Sequence, residues 1–146
     1  MRASILATAI VAALLVGTKC SAQSVRSLPC FKPDSAPIVY GQITKDLESG
    51  YIGYRFSFQV DSARLRGAVQ PTYQGTLQPE VPLDSLTALR GDSLSFSYAS
   101  ASTRDSYRVH VTCAHLRGMA RFSQTRTTRG VLTLVIFDRL PPVAKP

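Results

Sequence analysis

The sequence predicts an all-β fold: a single antiparallel meander barrel of about seven or eight strands after an N-terminal signal peptide. Apolar and polar residues alternate at period two in several short runs, and turn-forming residues separate these runs. No stretch carries apolar residues at helical spacing over several turns. Strands with one apolar and one polar face are typical of antiparallel sheets that pack a single face on a core.

Residues 1–22 have the layout of a secretory signal peptide. Arg2 supplies a positive charge, residues 5–16 form an uninterrupted run of apolar and small residues, and small side chains precede a cleavage site after Ala22. The apolar run is shorter than the roughly 20 residues that a membrane-spanning helix needs, so we expect no transmembrane span. The predicted product is secreted or periplasmic and begins at Gln23.

A lipoprotein signal is the alternative for the same segment, with Cys20 carrying the lipid and holding the protein on a membrane surface. Gly17 suits such a signal, whereas Lys19, directly before the cysteine, suits it poorly. The rest of the chain is long enough for one domain with one core. We expect an N-terminal segment at 23–37, a β-barrel domain at 38–140, and a tail at 141–146 whose prolines cannot extend a strand ladder.

The strands of the barrel follow in chain order, beginning with a first strand within residues 38–44. Five further runs each place their apolar residues on one face: RFSFQV at 55–60, RLRGAV at 64–69, SLSFSY at 93–98, YRVHVTC at 107–113 and LRGMARF at 116–122. The last run, VLTLVIF at 131–137, is apolar on both faces, as expected of a more covered strand. The segment VPLDSLTAL at 81–89 predicts either a short strand or a turn leading into the next strand.

Aromatic side chains occupy the inward phase of these runs. An eight-stranded barrel has room inside for side chains or for one small ligand. These residues therefore either fill the interior or line a pocket. The candidate pocket-lining residues are Phe56, Phe58, Phe96, Tyr98, Tyr107 and Phe122.

The order of short motifs between residues 38 and 140 resembles a small lipocalin-like β-barrel module of exported bacterial proteins, which occurs alone or before hydrolase domains. The matching pieces are VYGQI, YRFSF, LRGAV, TYQGT, VPLDSL, GDSLSFSY, YRVHV, LRGMARF and VLTLVIF. The resemblance implies a barrel fold and export, and it implies no catalytic residues. The chain departs from that pattern in having Tyr40 where a Trp is usual, and in its cysteine pair.

Both histidines of the chain lie close to a cysteine, as His110, Cys113 and His115. If Tyr107 to Cys113 and Leu116 to Phe122 pair as a hairpin, His110 points outward and Cys113 points inward, so the two cannot bind one metal ion. A structural zinc site needs about four ligands, and a Cys–His nucleophile pair needs hydrogen-bond contact. We therefore expect no metal, no cofactor and no nucleophile here.

Signal cleavage removes Cys20 and leaves Cys30 and Cys113. Two cysteines in an exported protein most simply form one disulfide. In the expected hairpin Cys113 is inward, so Cys30 would have to reach the end of the barrel.

Positive charge is concentrated late in a chain whose net charge is +8 at pH 7. The candidate anion-binding residues are Arg108, Arg117, Arg121, Arg126 and Arg129. In the expected register Arg108 lies opposite Arg121, and like charges in that position destabilise a sheet. The alternative is a solvated strand face whose arginine stems cover apolar wall. Nucleic acid is not an expected partner, because the outward face lacks interleaved aromatic residues for stacking.

Motifs of the common enzyme classes, such as GxSxG, HExxH and the Walker loop, do not occur in the sequence. Asp61, Asp84, Asp92 and Asp105 lie next to turn positions, where a role in holding the turn is expected. We therefore expect a non-catalytic binding or accessory barrel, for a small apolar ligand or for an acidic protein, lipid or glycan surface. The alternative is an enzyme, a hydrolase or lyase, with polar residues converging at the barrel mouth.

Overall fold

The computed structural model describes residues 28, 30–33, 35–48, 50–62, 64–89, 91–100, 103–124 and 130–141. The predicted signal peptide, most of the predicted tail, and Arg126 and Arg129 lie outside the described residues. Within these ranges the structure has no helix with the length and hydropathy needed to cross a membrane.

Ten β-strands make up the described part of the chain. They are β1 (Ile38–Asp46), β2 (Gly50–Asp61), β3 (Arg64–Tyr73), β4 (Thr76–Leu77), β5 (Val81–Pro82), β6 (Asp84–Ala88), β7 (Ser93–Ala99), β8 (Thr103–Val111), β9 (His115–Gln124) and β10 (Val131–Arg139). Their order in the sheet is β4-β3-β2-β1-β10-β9-β8-β7-β6, with β5 also paired to β3. All pairs between these strands are antiparallel.

The sheet curls into a half-barrel that is not closed, because its edge strands β4 and β6 do not pair with each other. The predicted closed barrel of seven or eight strands is therefore wrong in closure and in strand number, while the all-β antiparallel meander is confirmed. β4 and β5 have only two residues each, too few to show as alternation in a sequence. The segment 81–89 contains β5 and β6, and both lie near an edge, where Pro82 is tolerated.

One two-residue turn shows how the sequence sets the connections. Tyr73 pairs with Thr76 across Gln74 and Gly75, whose φ angles are 49° and 76°. Positive φ at both central residues is the geometry that matches the right-handed twist of a hairpin. Glycine adopts it without steric cost, so the Gly75 position determines where β3 ends and β4 begins.

The β8–β9 hairpin has a register two residues away from the predicted one. Tyr107 lies opposite Ala120, not Phe122, and Arg108 lies opposite Met119, not Arg121. The last ladder pair is Val111–Leu116, which leaves four residues between the paired strands. The Thr112 N–H donates to the His115 carbonyl oxygen across this loop at 2.9 Å. Since the shift is even, every side chain keeps its predicted face.

A disulfide between Cys30 and Cys113 closes one end of the half-barrel. The two Cα atoms are 5.2 Å apart and the residues are separated by 83 positions. Cys113 is exposed in the β8–β9 loop and not inward as predicted, because β8 already ends at Val111. The bond therefore ties the segment before β1 to a loop, without entering the core.

The tethered N-terminal segment packs against the sheet at this end. Leu28 and Phe31 are buried, and the Phe31 ring meets the Phe58 ring edge-on with centroids 6.0 Å apart. The Tyr40 hydroxyl donates to the Thr112 carbonyl oxygen at 2.7 Å, which joins β1 to the β8–β9 loop. We call this the closed end of the half-barrel.

A single aromatic cluster fills the middle of the concave face. The Phe56 ring lies 5.0 to 5.2 Å from the rings of Phe96, Tyr107 and Phe137, measured between centroids. Phe96 and Tyr107 stack at 4.9 Å. Edge-to-face and stacked pairs at these distances stabilise a core beyond their buried area, so the middle of the half-barrel is packed.

Candidate functional site

The end of the half-barrel opposite the disulfide contains a cavity of about 480 Å³. We call this the open end. Strands β1 and β10 share only the pairs Tyr40–Arg139 and Gly41–Asp138, and they have no ladder pairs nearer the open end. The cavity is lined by residues of β1, β2, β3, β9 and β10: Gln42, Thr44, Ile52, Gly53, Tyr54, Pro71, Thr72, Tyr73, Phe122, Val135 and Phe137.

A second cavity of about 380 Å³ adjoins the first, because Tyr54 and Phe122 line both. Its other lining residues are Thr103, Asp105, Ser123, Gln124 and Val131. Volumes of this size are typical of small-molecule sites, which combine apolar walls with a few polar groups. The open end is therefore an aromatic and aliphatic pocket with one carboxyl group in its wall.

That carboxyl group belongs to Asp105, which the sequence reasoning placed at a turn. The structure places it inside β8, in phase with Tyr107, Val109 and Val111, and its exposed fraction is only 3%. Period-two alternation contained this signal, because residue 105 has the parity of the inward positions of the same strand. The turn composition of Thr103 to Asp105 masked it.

The burial of Asp105 changes its acidity. Burial raises the pKa of the Asp105 carboxyl above its ordinary value, against a smaller opposing effect of the Ser123 backbone N–H, which donates to it. Burial also raises the pKa values of Tyr54 and Tyr107, and the charge of Asp105 adds to both shifts. These groups therefore form one electrostatically linked cluster.

Two hydroxyl groups at this end are buried without a hydrogen-bond partner in the part of the chain that the structure describes. They are Thr72 Oγ1, on a residue of the pocket wall, and the Tyr107 hydroxyl. A buried polar group without a partner is costly. Such groups are typical of sites that offer hydrogen bonds to a ligand.

The predicted pocket-lining residues divide between core and pocket. Phe122 lines both cavities at the open end. Tyr98 is buried near that end, with its ring 6.3 Å from the Tyr54 ring between centroids. Tyr54 was not among the predicted residues, although it lies two positions before Phe56 in β2 and therefore points to the same face. The remaining four pack in the aromatic cluster: Phe56, Phe58, Phe96 and Tyr107.

The histidines and Cys113 do not form a site together. His110 is exposed on the convex face, with Nδ1 3.0 Å from Asp92 Oδ1 and 3.0 Å from the Ser93 hydroxyl. The contact with His110 lowers the pKa of the Asp92 carboxyl. Among the described residues, no group of three or more His, Cys, Asp or Glu side chains has the arrangement to hold a metal ion.

The convex face of β8, β9 and β10 combines arginines with exposed apolar side chains. Arg121 lies opposite Leu132, and Arg117 lies opposite Ile136, across the β9–β10 pair. None of Arg108, Arg117 and Arg121 forms an ion pair with a described residue. Arg108 and Arg121 flank a shallow depression that also contains Met119 and Leu132. The exposed apolar residues of this face are Met119, Leu132, Leu134 and Ile136.

Comparison of the chain with protein-family models, with curated proteins and with solved structures finds no match.

Proposed function

We propose that this protein is an exported, non-catalytic binding module of lipocalin-like type, and that it takes a small, mainly apolar molecule in the pocket at the open end. The observation that carries the proposal is the separation of pocket from core. The aromatic cluster around Phe56 is packed, while about 480 Å³ stays open beyond it. A cavity with apolar walls gains free energy by exchanging water for an apolar ligand.

An enzyme at the same place is less well supported. General acid–base chemistry needs a second positioned group near the first. Asp105 is the only carboxylate among the described residues that line the two cavities, and they include no His, Lys, Arg or Cys. Binding therefore accounts for the pocket better than hydrolysis or elimination does.

Decanol is a suitable probe, because it combines a long apolar alkyl tail with a small, neutral hydroxyl head group. Isothermal titration calorimetry measures the affinity, because it reads the unaltered protein and tryptophan-bearing variants in the same way. We expect decanol to bind saturably. Thr44→Trp should lower the affinity for decanol roughly tenfold or more, which corresponds to a loss of about 1.4 kcal/mol in binding free energy. Thr44 is exposed at the mouth of the cavity, and an indole there occupies the volume the ligand needs.

Ile43→Trp is the matched control. Ile43 is the neighbouring residue of β1, on the opposite face, and is 44% exposed. It introduces the same side chain outside the pocket, so decanol should bind as it does to the unaltered protein. Equal weakening by both variants, or binding that both leave intact, would place the ligand elsewhere.

The arginine-bearing convex face favours a second candidate function, binding to an anionic lipid surface. Exposed aliphatic side chains beside arginines suit the boundary between headgroups and acyl chains, and each basic residue near an anionic surface contributes about 1 kcal/mol. Leu132 and Leu134 are 58% and 55% exposed there.

Arg108→Ser combined with Arg121→Ser tests this candidate. We expect sedimentation with vesicles of phosphatidylglycerol and phosphatidylcholine to fall several-fold and to lose much of its salt dependence, because two charges leave the contact. Lys45→Ser with Arg64→Ser removes the same charge from exposed positions elsewhere and should have little effect. The two arginines are not paired with each other, so stability should change by no more than about 0.5 kcal/mol. If vesicle binding falls equally in both double variants, binding depends on the net charge of the protein and not on the arginines of the convex face.

A further inference from the structure

Asp105 lies between two aromatic residues in the wall of the open end. Its neighbour on β7 is Tyr98, and its neighbour on β9 is Phe122, each directly opposite in the strand register. Directly opposite residues have Cβ atoms about 5 Å apart. Tyr54 of β2 completes this wall, because it lines the cavity with Asp105 and its ring contacts that of Tyr98.

The Asp105 carboxyl has no cationic partner among the described residues. The salt bridges Arg66–Asp61 and His110–Asp92 do not involve Asp105, and the contact that lowers the Asp105 pKa is the Ser123 backbone N–H. Acidic side chains are almost never buried unless they are paired. Asp105 is only 3% exposed, and no cation among the described residues balances its charge when it is ionised.

The surroundings indicate what kind of cation fits. Hard metal ions need several oxygen ligands, and the described residues contain no cluster of acidic, His or Cys side chains for one. Aromatic faces attract organic cations when these are held close to the ring and away from water. Tyr98 and Phe122 flank Asp105 in the strand register, and Tyr54 lines the same cavity. The Tyr107 ring lies 6.1 Å from that of Phe122 between centroids.

We propose that the ligand of the open end carries a protonated amine, which sits against Asp105 and the aromatic rings around it while its apolar body fills the adjoining cavity. This inference rests on the proposed binding function and names the class of ligand. A cation at this place balances the charge of the ionised carboxyl, which none of the described residues does. The full chain is strongly basic, with a net charge of +8, so general electrostatics would repel such a ligand and any preference for it must be local.

Among the described residues, the titratable groups that face Asp105 are tyrosines: Tyr54 on β2, Tyr98 on β7 and Tyr107 on β8. Burial raises the pKa of Asp105 first of all, so its ionised form is disfavoured in the empty pocket. An alkylamine stays protonated to about pH 10, as lysine does. Amine affinity should therefore rise with pH as Asp105 ionises, whereas the affinity for a neutral head should stay flat.

The same raised pKa has a consequence for stability. A carboxyl whose pKa is higher in the folded than in the unfolded state contributes stability below its unfolded pKa, and that contribution is lost as pH rises through the folded pKa. Without ligand, Asp105→Asn should therefore raise Tm at pH 7 and leave it little changed near pH 3. A carboxyl retained only to hold the fold would give the opposite sign, since Asn would then lower Tm at pH 7.

Decylamine, decanol and decanoate form a matched set of probes with cationic, neutral and anionic heads. At pH 8 we expect decylamine to bind on the order of tenfold more tightly than decanol, and decanoate more weakly than either. Asp105→Asn should bring the affinity for decylamine to within about twofold of the affinity for decanol. The control Asp138→Asn removes one exposed carboxylate from β10 and should preserve the preference.

Three results separate the possibilities. An amine preference that survives Asp105→Asn, or a preference for decanoate, overturns the inference and leaves the apolar pocket standing. Failure of all three probes to bind overturns the proposed function, and with it this inference. If Asp105→Asn does not fold, the pH profile of the unaltered protein decides: equal pH dependence for decylamine and decanol contradicts a role for the carboxyl.

Discussion

Phe56→Ala should lower the free energy of unfolding by about 3–5 kcal/mol, the range for removing a fully buried phenylalanine. Phe56 has no exposed surface and contacts the rings of Phe96, Tyr107 and Phe137. Its loss leaves a void at the centre of the only aromatic cluster in the described core. Urea denaturation measures the effect through the midpoint at constant m value.

Phe122→Ala is the matched control, because it makes the same substitution at a phenylalanine of the pocket wall. Phe122 is only partly buried and faces open volume on two sides. Less packing is lost there, so the expected reduction in stability is about half that of Phe56→Ala or smaller, while decanol affinity changes. Equal losses of stability in the two variants would mean that the open end is packed as tightly as the middle.

Removal of the disulfide should have an effect of similar size. In the chain-entropy model, a cross-link closing a loop of 83 residues stabilises a protein by about 4 kcal/mol. Replacing both Cys30 and Cys113 by serine therefore should lower the unfolding free energy by roughly that amount. The comparison is made at equal pH by urea denaturation, with the unaltered protein kept oxidised.

The position of the disulfide provides an internal control for this variant. It lies at the closed end with Leu28 and Phe31, and none of the residues lining the two cavities is among them. The folded double variant should therefore bind decanol with unchanged affinity. If the folded double variant fails to bind decanol in the absence of urea, the closed end affects the pocket. That result would contradict the separation of core and pocket.

The faces of the strands were predictable because side-chain direction alternates strictly along a strand. Phe56, Phe96 and Tyr107 were correctly assigned to the inside on this ground. The same rule assigns Asp105 to the inside. Its neighbours Thr103 and Arg104, however, have the composition of a turn, which predicts a turn position for Asp105 in place of an inward one. The key polar residue of the pocket was therefore present in the pattern and was missed.

Closure and register were not predictable from alternation. The β8–β9 register depends on a loop stabilised by Thr112, whose hydroxyl oxygen accepts the His115 N–H at 3.0 Å. Closure depends on the edge strands β4 and β6, which do not pair with each other. Both are tertiary facts, because period two reports only which face a residue occupies. The cavity itself results from the separation of β1 and β10, so its position could not be derived from any single strand.

The central claim is that the open end of the half-barrel is a ligand pocket distinct from the packed core. Backbone amide chemical shifts, recorded during a decanol titration of the folded protein, test it most directly. The account predicts saturable shifts at residues of the pocket wall, such as Gly53, Thr72 and Val135, and none at Val111 or Leu94, which are buried at the other end. Shifts confined to the convex face around Met119 and Leu134, or no saturable shifts at all, would contradict it.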